Sequence, residues 1–366
     1  MKIYTYEYLT NYILQTNHRE LEGVLTNIDA LYEAYDVPKK NGTRKIHAIR
    51  KNYLGGMELL RLQRNLYRRF LRYVPIAVNV KGFVEKESYL TFLKPHVGNT
   101  YFMRLDICDF FGSFSEEMME DVLGEQITDH QALQQVIRLC TLEGKLPQGA
   151  VTSPAISNVC FRRVDQRILK YCQRIEERVR QEKKRKYDFG FPHICFTRYA
   201  DDLLFSSNFF DFKKNLYFFH QISHILKENY FILNRKKTRF GEDEIVLNGY
   251  VLGDGIHLSR KKLEELRQVL YFFKDKSKEE FVPDQGKFLD SGTLLRSMNS
   301  YLTQSRCSRE PFTSPQQISY YLGGYRSFLI SVLRENQRET AGVLKETEKL
   351  LRRIEMVLDK MESLEV

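Results

Sequence analysis

The sequence predicts an α+β chain in two parts, with helices accompanying an antiparallel sheet over residues 1–255 and a helical part over 256–366. Three observations carry this. Two short apolar runs, His193–Arg198 and Leu203–Ser207, flank Tyr199-Ala200-Asp201-Asp202 and read as a β-hairpin with two adjacent carboxylates at its tip. A further strand, Tyr101–Asp106, precedes a helix start marked by Ser115 with Glu116 and Glu117 in the first turn. From Ser259 onward the apolar spacing is almost wholly helical. At 366 residues the chain is long enough to bury a large core and to divide into lobes.

The remaining elements follow in order. Residues 6–34 and 56–74 have helical spacing of Leu, Ile and Tyr, and between them the polar, basic stretch Lys39–Lys45 carries an Asn41-Gly42 pair suited to a hairpin tip. Ser153 followed by Pro154 is an N-cap and first-turn pair, opening a helix into the 170s. The basic run Arg178–Lys186 reads as a solvated helix end and loop. Another helix is expected over 211–229, and a short strand pair, Ile245–Leu247 and Tyr250–Leu252, around Asn248-Gly249.

The formal net charge of +10 favours a polyanionic partner such as nucleic acid. The six cysteines are scattered without a C-x-x-C pair, which argues against a zinc site or a disulfide framework and for small buried hydrophobes. No apolar run reaches the length of a spanning helix, and Met1–Glu7 lack the apolar core of a signal peptide. The expectation is a cytoplasmic protein without a membrane partner.

Adjacent aspartates on a tight turn repel each other and need either full solvation or a cation. The apolar flanks of Asp201 and Asp202 argue against solvation. Two-metal nucleotidyl transfer requires carboxylates that bridge ions about 3.5–4 Å apart. A third ligand must come from a neighbouring strand, and Asp106 at the end of Tyr101–Leu105 is the candidate. Oxygen donors without His or Cys suit Mg²⁺.

Leu105–Phe111, Leu146–Pro154 and Tyr199–Asp202 resemble, in that order, the three catalytic motifs of the reverse transcriptases. The resemblance implies a right-hand polymerase, with fingers and palm in residues 1–255 and a helical thumb in 256–366. It implies catalysis by Asp106, Asp201 and Asp202, which would bind two Mg²⁺ ions with the Ile107 carbonyl as an added ligand. Phe111 matches the bulky aromatic under the incoming sugar, which favours deoxynucleotides, whereas Phe110 reads as ordinary core. Asp109 and Gln148 match positions that help hold nucleotide and template, and Lys40 and Arg44 match the triphosphate-binding pair. Asn234–Thr238 resembles the Asn-x-x-Lys-Thr motif, with Lys237 where a lysine protonates leaving pyrophosphate and Tyr230 replacing the usual glycine. In the thumb, Arg260, Lys261, Lys262 and Arg267 would contact phosphates without reading sequence.

Two segments resemble the bacterial retron enzymes and their defence-associated relatives. Gly82–Val84 through Phe92–Gly98 keeps His96 but has Phe92-Leu93 for Asn-Ala, and Leu247-Asn248-Gly249 stands for Val-Thr-Gly. Tyr321–Phe328 resembles a helix-packing element of retron thumbs. The implied activity is RNA-directed DNA synthesis from deoxynucleotides on a noncoding RNA template, passing through an RNA–DNA duplex, in antiviral defence with an effector protein. Synthesis with little or no external template remains a second reading. A catalytically idle RNA-binding scaffold is a third, opposed by the three retained aspartates. Leu344, Leu351 and Leu358 alternate with Thr347, Ile354 and Met361 at heptad spacing, which suits either an oligomer contact or packing on the same lobe.

Overall fold

The computed structural model describes all residues except 40–41, 183–191, 276–290, 306, 308–309, 336–340 and 363–366. The chain divides into two compact units, Met1–Asp243 and Glu244–Val366. In the first, α1 (Tyr6–Tyr8) and α2 (His18–Thr26) lead to a hairpin of β1 (Tyr32–Lys39) and β2 (Gly42–Ile49). Lys39 pairs with Gly42, so Gly42 opens β2 where Asn41-Gly42 was expected as the tip; Lys40 and Asn41, between the two strands, lie outside the described residues. The helical spacing expected to residue 34 gives way at Tyr32. There a buried ring, whose hydroxyl accepts a 2.8 Å hydrogen bond from the Gln63 amide, anchors the first strand instead.

Next come α3 (Gly56–Arg69), α4 (Tyr89–Leu93), β3 (Tyr101–Asp106), α5 (Glu116–Leu123), α6 (His130–Cys140) and α7 (Ser153–Glu182). The Ser115 hydroxyl caps α5 by accepting from the Met118 N–H. Along α7, Phe161, Val164, Ile168 and Cys172 recur at three- and four-residue steps and are all buried, giving the helix one apolar stripe. The unit closes with β4 (Ile194–Tyr199), β5 (Asp202–Ser207), α8 (Leu216–Lys227) and β6 (Arg239–Glu242).

The central sheet runs β4-β5-β3-β6, antiparallel throughout. All six residues of β5 are buried between β4 and β3. This explains why Leu203-Leu204-Phe205 is a continuous apolar run and not an alternating one. Cys140, Cys160, Cys172 and Cys195 are buried free thiols, and burial pushes the first two up to about 12.

The second unit begins with a meander of β7 (Ile245–Leu247), β8 (Tyr250–Leu252) and β9 (Ile256–Leu258). Asn248 and Gly249 both take positive φ, +48° and +88°, as a two-residue hairpin turn requires. Helices α9 (Arg260–Asp275), α10 (Ser291–Gln304), α11 (Pro315–Glu335) and α12 (Ala341–Glu362) follow. The division falls at Asp243/Glu244, ahead of the expected position near 256, because the meander is tied into the helices. The Ser259 N–H donates to the Gly249 carbonyl at 2.8 Å, and the Tyr250 ring packs 4.7 Å from that of Phe328. On α12, Leu350, Ile354, Val357 and Met361 are buried in the core of their own unit. Among the described residues, no helix is long and apolar enough to cross a membrane.

Candidate active site

The register of the central sheet assembles the acidic cluster. Asp106 pairs directly with Asp202 across β3 and β5, and Tyr199 pairs with Asp202 across β4 and β5, leaving Ala200-Asp201 as the turn. Ala200 holds φ +55°, a left-handed conformation that costs a residue with a Cβ about 1 kcal/mol. Two neighbours hold the turn in place. The Ile107 N–H donates to the Asp201 carbonyl at 3.0 Å, and the Asn234 N–H donates to the Asp106 carbonyl at 2.7 Å.

The three carboxylates differ in their partners. Asp106 is buried and takes the Lys237 ammonium at 2.8 and 3.1 Å. Asp202, also buried, accepts two hydrogen bonds on Oδ1 from Arg104, at 2.6 and 2.9 Å. Burial works against the Arg104 charge, but the Asp202 carboxylate more than offsets it and its pKa is raised. The Asp201 carboxylate has no ion pair among the described residues. Its pKa is pushed up, first by burial and then by repulsion from Asp202 and Asp106.

Among the described residues, no three His, Cys, Asp or Glu side chains are disposed to hold an ion as they stand. Lys237 and Arg104 draw two of the carboxylates to themselves. The donor set is nonetheless of the right chemistry for a hard divalent cation, since it is all oxygen and includes one carboxylate, Asp201, that is in no ion pair among the described residues.

Phe111 is half-buried, its ring 5.5 Å from Phe110 and 6.0 Å from Phe83; the Phe83 ring lies in turn 6.4 Å from Tyr199. Phe110 is core, packed with Phe114, Phe161 and Phe231. Asp109 is exposed at φ +40°, with its carboxylate folded so closely over Gly112 that a Cβ there would lie 2.2 Å from Oδ2. The Gln148 carbonyl accepts the His47 N–H at 2.7 Å, joining the Leu146–Pro154 segment to β2, the strand that carries exposed Arg44. Lys40 lies outside the described residues.

The four basic residues expected to meet phosphates lie in the second unit. Arg260 and Lys261 are exposed, paired one turn along α9 with Glu264 and Glu265. Arg267 pairs with Glu346 of α12. Lys262 is turned inward, its ammonium 4.8 Å from the Tyr250 ring centroid, and burial lowers its pKa.

Three residues escaped the sequence reading. Arg104 lies two residues before Asp106, so strand alternation puts both on one face; that spacing was the available signal. Arg198 and Asp165 form an ion pair with no exposed surface, 33 residues apart, a pairing that nothing local announces. His96 is structural. Its ring nitrogens meet Ser206 Oγ at 2.6 Å and Thr197 Oγ1 at 2.7 Å, and burial depresses its pKa to about 3, so it is neutral.

A four-stranded antiparallel palm sheet flanked by helices, followed by a helical second unit, is the fold of a right-hand polymerase. Residues 37–252 match the family model described as reverse transcriptase (RNA-dependent DNA polymerase), and the chain belongs to that family of RNA-directed DNA polymerases. It is retron-like. The Ec86 retron reverse transcriptase of Escherichia coli is 26% identical over 263 residues, covering 71% of this chain and 75% of that protein. The Mx65 retron reverse transcriptase of Myxococcus xanthus is 27% identical over 263 residues, covering 66% of this chain and 55% of that protein. Among solved structures, a foamy viral protease-reverse transcriptase in complex with double-stranded DNA aligns with a TM-score of 0.38 at 17% identity, over 88% of this chain and 43% of that one.

Proposed function

We propose that this chain extends a primer with deoxynucleotides on a noncoding RNA template, using two Mg²⁺ ions, in bacterial antiviral defence. The observation that carries the chemistry is the register that sets Asp106 opposite Asp202 with Asp201 in the intervening turn. Asp106, Asp201, Asp202 and the Ile107 carbonyl would hold the ions, which when bound activate the primer 3′-oxygen and neutralise the triphosphate.

The chain's own residues supply the remaining functions. Arg44, with Lys40, binds the triphosphate by charge-assisted hydrogen bonds. Phe111 sets the floor under the sugar and excludes a 2′-hydroxyl, while Asp109 and Gln148 steady the nucleotide and template. Lys237, held at Asp106, is a proton source for the departing pyrophosphate. Arg260, Lys261 and Arg267 meet the duplex backbone, with Lys262 contributing through the Tyr250 face that it braces. The defence role rests on the likeness to retron enzymes; an effector protein and a cytoplasmic site of action belong to the same reading.

The test is Asp201→Asn with Asp202→Asn. Deoxynucleotide incorporation should fall at least about 1000-fold, since a pair of metal ligands is lost, while RNA binding stays near wild type. Undiminished synthesis by the double variant would remove the metal assignment. Phe111→Ala should admit ribonucleotides, and unchanged discrimination between the two sugars would take Phe111 out of that role. Sequencing the nucleic acid that copurifies with the wild-type protein identifies template and product together. A plaque assay comparing the wild type with the double variant tests the defence role.

A further inference from the structure

Arg198 is among the largest fully buried side chains of the described residues, and its partner Asp165 on α7 is equally inaccessible. The contact is a fork. Arg198 Nε donates to Asp165 Oδ1 and Oδ2 at 3.0 and 3.1 Å, and Nη2 donates to Oδ2 at 2.9 Å. The guanidinium lies 4.5 Å from the Phe161 ring centroid, and the Asn79 amide donates to Asp165 Oδ1 at 3.2 Å. Stability alone does not account for such a pair, because apolar side chains of similar volume replace buried ion pairs without loss in many proteins.

The remaining arm of the guanidinium explains it. Arg198 Nη1 donates to the Ala200 carbonyl at 3.2 Å, inside the left-handed turn that presents Asp201. The peptide groups on both sides of Asp201 are therefore held, one by Arg198 through the Ala200 carbonyl and the other by the Ile107 N–H through the Asp201 carbonyl. The Arg198 backbone is clamped as well, its N–H on the Asn79 carbonyl at 2.9 Å and its carbonyl accepting the Lys81 N–H at 2.8 Å.

We propose that Arg198 is the positioning residue of the Asp201–Asp202 turn and that Asp165 acts through it, so that a buried ion pair on α7 and β4 sets where the two carboxylates stand. The inference rests on the polymerase reading above. It predicts that loss of the contact to the Ala200 carbonyl lowers turnover in a protein that is still folded. It also makes α7, the helix that follows the Gln148 segment, a support for the Asp201 turn.

The test replaces both partners by apolar groups, Arg198→Met with Asp165→Leu, alongside the wild type and the Asp201→Asn, Asp202→Asn variant. The expected result is a folded protein whose kcat for deoxynucleotide incorporation falls about 10- to 100-fold with KM changed less than about twofold. The rise in thermal midpoint that Mg²⁺ gives the wild type should shrink in the variant, a readout independent of turnover. Arg198→Lys, which keeps a cation for Asp165 but has no second arm for the Ala200 carbonyl, should behave alike and serves if the double replacement does not fold. A folded variant of either kind with wild-type kcat and wild-type Mg²⁺ response overturns the proposal. Absence of incorporation by the wild type overturns the polymerase reading instead.

Discussion

Two hairpins of the first unit make opposite use of the same motif. β1 and β2 form eight-residue strands whose described side chains are mostly exposed, with no third strand beside them among the described residues. β4 and β5 form six-residue strands, buried almost throughout and joined to β3. The exposed hairpin is fastened to its surroundings by single contacts such as the His47–Gln148 backbone bond, whereas the buried one is surrounded by ion pairs and hydrogen bonds. A solvated strand carries Arg44 and Lys45 at little desolvation cost. A strand end that holds two aspartates in a protein interior needs every neighbour to be specified.

That contrast can be broken first at Gly82. A Cβ there would lie 2.5 Å from the Ala200 backbone nitrogen and 3.0 Å from two Tyr199 backbone atoms, none of which can yield without moving the turn. Gly82→Ala should cost about 1–3 kcal/mol by overpacking and suppress incorporation beyond what that loss explains. Urea unfolding and single-turnover rates on the same sample check it; a fully active, fully stable variant would mean that the turn tolerates displacement.

Acid should separate the two hairpins next. His96 is held neutral against β4 and β5 with its pKa depressed to about 3 from 6.5, so the unfolded chain takes up its proton more readily. Its contribution is therefore fully present above about pH 6.5 and is lost as the pH falls toward about 3, at about 1.4 kcal/mol per pH unit. In His96→Gln that part of the pH dependence should vanish. Equal slopes of stability against pH for the two proteins would show that another group carries the effect.

The smallest structural effect belongs to the exposed hairpin. Arg44→Ala should leave stability within about 0.5 kcal/mol of wild type while raising the deoxynucleotide KM about tenfold, the loss of one charge-assisted contact. Steady-state kinetics decides it, and an unchanged KM would remove Arg44 from the triphosphate site.

Much of the fold was legible. The strand Tyr101–Asp106 appears with the expected bounds, and β7 and β8 turn at Asn248-Gly249 as composition required. Phe110 is core and His96 is a satisfied buried histidine, both in keeping with their sequence contexts. Less legible were features governed by distant partners. Residues Tyr32–Ala34 carry helical spacing but pair with β2, and the meander from β7 to β9 joins the helices it precedes rather than the palm. Lys262 looked like one more cation in a basic run until Tyr250 supplied a face to cover it.

The sequence by itself determined the class of fold, the order of the three motifs and the residue types of the acidic cluster. Those depend on local periodicity, turn chemistry and composition, which a linear reading contains. Only the tertiary structure decided which cation meets which carboxylate, with Lys237 on Asp106, Arg104 on Asp202 and no ion pair on Asp201 among the described residues. It alone brought Arg198 to Asp165 and the Ala200 carbonyl. Coulomb attraction and hydrogen bonding fall off over a few ångströms, so these partnerships exist only once folding has brought distant residues together in a medium that excludes water.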